Sequence, residues 1–334
     1  MILEDWRDLD PAELTPVYEA ECRRYRAALA WDLEPSCRII EAARRAGRLP
    51  GLVVRNGSGA IAGWSYFIVH EGVLQIGGLV ADSASGLRRM LDRVLQSPEA
   101  TFSRSLTGFV FPASASLQAA FERQRFAVER HAYLSRPVLG GPHSESVRKG
   151  LAPEFRLRPL ADVDPADVVR LAARAYAGMA EARCFAPDGR LDQWAHYLGQ
   201  LLATPACGCY LPGASFAAER RDGRELVGAV ISTAIAPETA HIAQIVVDPV
   251  CRRAGLAAEL VSSSLERARE DGYAKLSLLV AEANAPARRL YARLGFSETA
   301  SFIFASRAAL TRRATPSAPA SRELIDTNLA RLNQ

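Results

Sequence analysis

Residues 245–257, Ile-Val-Val-Asp-Pro-Val-Cys-Arg-Arg-Ala-Gly-Leu-Ala, contain a basic, glycine-bearing turn that suits a pyrophosphate. The first N–H groups of a helix have no internal partner and sit at the positive end of its dipole, so phosphate oxygens can rest on them directly. Gly255 and Ala257 keep bulky side chains away, and Arg252 and Arg253 supply charge. Further along, Asn284-x-x-Ala287-x-x-x-Tyr291-x-x-x-Gly295-Phe296 adds an amide, a phenol and a second glycine.

The elements that must position these groups are legible nearby. Ile245, Val246 and Val247 are apolar and β-branched, Asp248-Pro249 ends that strand, and Leu256, Leu260, Val261, Leu265 and Ala268 recur at helical spacing. A second apolar strand spans 275–281. It leads to a short helix in which Asn284 is the expected N-cap, Pro286 lies in the first turn and Gly295 is the left-handed stop. Ala287, Leu290, Tyr291 and Leu294 share one face, where a tyrosine taken alone would read as core packing.

In this order and spacing, the two motifs resemble those of the GNAT superfamily of acyl-CoA-dependent N-acetyltransferases. The resemblance implies that the backbone of Arg253, Ala254, Gly255, Leu256 and Ala257 holds the pyrophosphate of acetyl-CoA, with Arg252 and Arg253 as charge partners. It implies that the strand Ile245-Val246-Val247 hydrogen-bonds the pantetheine arm, and that Asn284, with Ala287 beside it, contacts that arm or caps the helix beneath. Tyr291 would face the sulfur. That role is chemically sound, because a phenol of pKa about 10 can protonate a thiolate whose conjugate acid titrates at about 8.5. N–H groups near the strand would polarise the thioester oxygen.

A base for the attacking amine is harder to name. Many such enzymes use a Glu on the strand equivalent to 240–247, where this chain has His241 and Gln244. Gln244 cannot act as a base, which leaves His241 as the nearest titratable group, with Glu282 and His196 as further candidates. The plainer reading of His241 is a strand-edge residue facing solvent. Tyr176, Glu181, Arg183, Trp194 and Tyr197, from the region that shapes the acceptor pocket in this family, are candidate substrate contacts.

Composition bounds the alternatives. The 334 residues exceed what a single core usually supports and predict two domains. The net charge of +4 and only two lysines, Lys149 and Lys275, give no nucleic-acid footprint. Residues 1–8 are too acidic for a signal peptide and no apolar run reaches membrane-spanning length, so a cytoplasmic location and no membrane partner are expected. Six cysteines form no paired framework, and Cys207-Gly208-Cys209 lacks the companion ligands of a zinc site, so no metal is expected.

The first half reads as a worn copy of the second. Leu74–Asp82 aligns without gaps with Ala240–Asp248, Ala60–Gly63 falls opposite Glu225–Gly228, and Phe121 and Phe126 repeat the spacing of Tyr291 and Phe296. The losses fall where chemistry needs residues: no Arg-x-x-Gly-x-Ala turn follows Asp82, Ser114 replaces Asn284, and Phe121 has no proton to give. The expected fold class is therefore α/β (α+β), with two tandem GNAT-like domains, each a mixed, mostly antiparallel twisted sheet flanked by helices. Residues 1–140 form the degenerate domain, 141–153 a linker, 154–310 the catalytic domain, and 311–334 a link plus a short amphipathic helix carrying Leu324, Ile325, Leu329 and Leu332. That helix needs a surface on its own chain or a partner's, which leaves a homodimer open. The expected activity is acetyl transfer from acetyl-CoA to a primary amine, a small molecule first and a protein amine second. The rival reading is a non-catalytic acyl-CoA-binding sensor or assembly module.

Overall fold

The β-branched runs that flank the basic turn become two central strands of one continuous sheet. The computed structural model describes residues 1–139, 151–204, 207–223 and 225–308; the expected C-terminal helix and most of the expected linker lie outside them. The first half runs β1 (Ile2–Asp5), α1 (Pro11–Leu29), α2 (Glu34–Arg45), β2 (Gly51–Arg55), β3 (Ile61–His70), β4 (Val73–Ala81), α3 (Ala84–Leu95), α4 (Pro98–Phe102), β5 (Ser105–Val110), α5 (Ala115–Arg123) and β6 (Ala127–Pro137). The second runs β7 (Phe155–Pro159), α6 (Pro165–Ala175), α7 (Leu191–Ala203), β8 (Cys209–Tyr210), β9 (Phe216–Arg220), β10 (Leu226–Ala236), β11 (Thr239–Val247), α8 (Leu256–Glu270), β12 (Lys275–Ala281), α9 (Ala285–Arg293) and β13 (Ser297–Ala308).

The sheet order is β1-β2-β3-β4-β5-β13-β6-β12-β11-β10-β9-β7, with β8 attached to β10. The sheet is mixed and mostly antiparallel; its parallel pairs are β4–β5 and β11–β12. The two halves exchange their last strands: β13 pairs with β5 of the first half, and β6 pairs with β12 of the second. The cores follow the exchange. Ile303 and Ala305 of β13 pack with Phe121 and Met90, while Ala132 and Leu134 of β6 pack with Leu278 and Tyr291. Each exchanged strand covers what would otherwise be an open, apolar edge.

The repeat survives in fine detail. The parallel pairing of β4 with β5 runs from Val73–Ser105 to Ile76–Gly108, and that of β11 with β12 from Thr239–Lys275 to Ile242–Leu278. A bulge follows in each half, with Gly77 and Ala243 as the extra residue against β3 and β10. Bulges bend and twist a strand, and here each ends the parallel ladder and splays the two strands. Ser114 and Asn284 both cap their helices, accepting from Leu117 N at 3.1 Å and Ala287 N at 3.2 Å.

Candidate active site

The splay between β11 and β12 leaves the inner edge of Ala243–Val247 without a strand partner, while the outer edge stays paired to β10 as far as Gly228–Val247. An extended chain can therefore add to that edge. Beyond Asp248, which is held by Arg174 at 3.0 Å, the backbone turns through Arg253 (φ 70°) and Gly255 (φ 83°) into α8. No side chain caps α8. Its first N–H groups are left for solvent or ligand, and a Cβ built on Gly255 would meet nothing within 4 Å. The turn, β11, Asn284, Ala287 and Tyr291 line one cavity of about 1830 Å³.

The structure brings most of the expected residues together there and assigns some of them other partners. The Arg252 guanidinium donates to the Ala175 carbonyl at 2.7 Å, closing the end of α6, so Arg253 is the more available cation of the pair. Asn284 caps α9, as one of its two expected roles requires. Tyr291 is buried, edge-on to Phe296 at 5.9 Å, and burial together with nearby Tyr176 pushes its phenol pKa up. Glu282 is paired with Arg130 at 3.1 Å, and His196 stacks on His70 at 3.8 Å, away from the cavity lining.

His241 departs from the solvent-facing edge that the sequence suggests. It is 4% exposed, because β11 lies inside the sheet and Trp31 of the first half packs over the ring at 5.5 Å. Its Nδ1 is 2.9 Å from Ser277 Oγ, and burial depresses its pKa to about 3, so it stays neutral at ordinary pH. Gln244 is a bridge: it accepts from Tyr197 Oη at 3.0 Å and donates to Tyr176 Oη at 2.9 Å. Burial lifts the Tyr176 phenol to about 12, although the Gln244 bond partly offsets it. Of the expected substrate contacts, Tyr176, Glu181 and Tyr197 line the cavity, Trp194 is buried beneath them, and Arg183 is not in the lining.

Pattern reading missed the residues that reach this cavity from the first half, among them Glu21, Tyr25, Trp31 and His131. None lies in a motif, and only the exchanged strand and the docking of α1 bring them in. Tyr133 Oη donates to Leu29 O at 2.8 Å and Asp32 N to Ile235 O at 2.8 Å, which fixes the end of α1 over the second half. Arg289 and Arg293 of α9 also line the cavity, and their four-residue spacing on a helix opening with Asn284 was a usable signal for a basic rim.

The first half shares the splay but fills the corresponding places. Ser83 Oγ accepts from Gly86 N at 3.1 Å and so occupies the start of α3. Tyr66 packs on Gly77 so closely that a Cβ there would lie 2.2 Å from its ring. Phe121 occupies the place of Tyr291, edge-on to Phe126 at 5.2 Å.

Residues 176–296 match the acetyltransferase (GNAT) family. Among solved structures, a GCN5-related N-acetyltransferase from Sphaerobacter thermophilus shares 15% identity, with 78% of this chain and 80% of that one covered and a TM-score of 0.56. A tandem GNAT protein from the clavulanic acid biosynthesis pathway shares 16% identity, with 81% and 84% covered and a TM-score of 0.52. A GCN5-related glucosamine N-acetyltransferase region of a fungal multi-domain protein shares 13%, with 92% and 38% covered and a TM-score of 0.59. At these identities the likeness is one of fold, and it includes the tandem GNAT arrangement. No curated protein sequence matches the chain. No helix among the described residues is long and apolar enough to cross a membrane.

Proposed function

We propose that this GNAT protein transfers an acetyl group from acetyl-CoA to a primary amine, and that its C-terminal half does so by direct attack of the amine on the thioester. The observation that supports this most is the convergence of three features on one cavity: the uncapped start of α8, the open inner edge of β11 and the buried Tyr291. The first half has Ser83, Tyr66 and Phe121 at the corresponding places. One cofactor site per chain follows from that asymmetry.

In this reading the N–H groups of Gly255, Leu256 and Ala257 receive the pyrophosphate, and Arg253 with the basic rim of α9 adds charge. The edge of Ile245 and Val247 pairs with the pantetheine amides, as a short added strand would. Nucleophilic attack puts negative charge on the carbonyl oxygen, which N–H groups at the β11 bulge would stabilise, and Tyr291 protonates the departing sulfur. Because its phenol pKa is raised, Tyr291 remains fully protonated until it is needed.

A small-molecule acceptor is favoured over a protein amine because Tyr25, Trp31 and Phe111 of the first half roof the acceptor side of the cavity. The alternative, a non-catalytic acyl-CoA sensor or assembly module, is favoured by one observation: β11 has no carboxylate, and Gln244 is committed to two tyrosines. Calorimetric titration of acetyl-CoA into wild type and Gly255→Glu, followed by thiol release across a panel of amines, tests the reading. One site per chain, lost in the variant, with turnover on an amine is the expected result. Binding without turnover on any amine would leave the sensor.

A further inference from the structure

We propose that His131, delivered into the second half's cleft by the exchanged strand β6, is the general base that takes the proton from the attacking amine. The inference rests on the acetyl-transfer reading above. His131 pairs across β6–β12 with Ala281, the last residue of the splayed strand, and lines the same cavity as Ala281, Asn284 and Tyr291. The ring is 6% exposed, and its buried Nδ1 makes no hydrogen bond of good geometry, the Glu129 backbone being its nearest polar influence. Its Nε2 has only the Cys184 thiol, at 3.9 Å. A neutral imidazole whose Nε2 meets only a thiol keeps a lone pair there free for a proton. His241, by contrast, is tied to Ser277 at 2.9 Å.

The surroundings suit a neutral resting base that gains a positive charge. Phe109 and Phe304 pack edge-on against the ring at 5.3 and 6.2 Å and hold its plane. Glu181 and Cys184 face it from the segment before α7, Glu282 from the end of β12 and Glu129 from its own strand, with Arg130 paired to Glu282 and Arg183 near Glu129. Burial lowers the His131 pKa, while the Glu129 carbonyl and the Glu181 and Glu282 carboxylates oppose that shift. The neutral form therefore predominates at pH 7, and the carboxylates stabilise the imidazolium once it forms.

The amine nitrogen attacks the thioester carbon, and the C–N bond forms. The nitrogen gives one proton to His131, the C–S bond breaks, and the sulfur leaves with the Tyr291 proton. Solvent then returns a proton to Tyr291 and removes one from His131. The products are an amide and free CoA.

The test compares wild type with His131→Gln and His131→Ala, using an amine that wild type acetylates. The expected result is a kcat lower by about 10²–10⁴ with unchanged acetyl-CoA affinity, loss of the acidic limb of the kcat/KM profile, and partial rescue of His131→Ala by free imidazole. A retained limb and kcat with either variant would overturn the proposal, as would a rate loss that imidazole cannot rescue in variants that still bind acetyl-CoA. If wild type binds acetyl-CoA yet acetylates no amine and hydrolyses no thioester, the acetyl-transfer reading falls and the base assignment with it. Turnover that survives in the His131 variants removes the base assignment alone.

Discussion

Replacing Tyr291 with Phe removes a single oxygen, and the chain already contains the control for that change. Phe121 occupies the corresponding helix position in the first half and packs edge-on with Phe126 at 5.2 Å, much as Tyr291 does with Phe296 at 5.9 Å. A phenylalanine therefore fits this helix–strand junction, and Tyr291→Phe should fold with a stability change within about 1 kcal/mol, the usual net worth of one hydrogen bond. General-acid catalysis contributes about 10²–10⁴ in rate. At about 1.4 kcal/mol per decade, the variant's barrier should rise by about 3–5 kcal/mol. The assay is steady-state thiol release, with acetyl-CoA affinity measured calorimetrically on the same preparation. The expected outcome is a fall in kcat of at least about a hundredfold with affinity unchanged. Because burial raises the phenol pKa, wild type should also show no alkaline limb from Tyr291 at pH 9. A kcat within about twofold of wild type would remove the proton-donor argument, because nothing else about the variant should differ.

Gly255→Glu should abolish acetyl-CoA binding and cost about 1–2 kcal/mol of stability, since its Cβ meets nothing within 4 Å and the cost is that of a left-handed backbone at φ 83°. Two binding sites per wild-type chain would refute the inference that Ser83 and Tyr66 close the first half. His241 is depressed from 6.5 to about 3, so its contribution to stability is complete above pH 6.5 and is lost as pH falls toward 3. At about 1.4 kcal/mol per pH unit this amounts to about 3 kcal/mol between pH 7.5 and pH 4. His241→Gln should lose correspondingly less stability over that range in urea titrations, and equal acid sensitivity in both proteins would contradict the burial argument. Phe302→Ala, in the exchanged β13 and packed with Phe111 and Tyr133, should cost about 3–5 kcal/mol and lower one common unfolding transition for both halves. Two separate calorimetric transitions would show that the exchanged strands do not couple the cores.

Local chemistry made much of this protein legible in its sequence. Gly295 takes the left-handed backbone expected of it, and Asn284 caps the helix it was expected to cap. The strand at 275–281 has its expected bounds. Those signals are read within a few residues, because capping, turn conformation and apolar periodicity depend on near neighbours. The worn repeat was equally visible, since Gly77 and Ala243 occupy equivalent bulges.

Tertiary structure alone decided which residues meet across the repeat. The exchange of β6 and β13 is a matter of edge pairing between distant strands. It places His131 beside Ala281, and the docking of α1 places Trp31 over His241. The burial of His241, the capture of Arg252 by the Ala175 carbonyl and the commitment of Gln244 to Tyr176 and Tyr197 follow from those long-range contacts. A side chain's environment is set by what the fold brings against it. The basic turn before α8 and the cap of α9, being continuous in the chain, could be read from sequence, while the part of the cavity lining that comes from the first half could not.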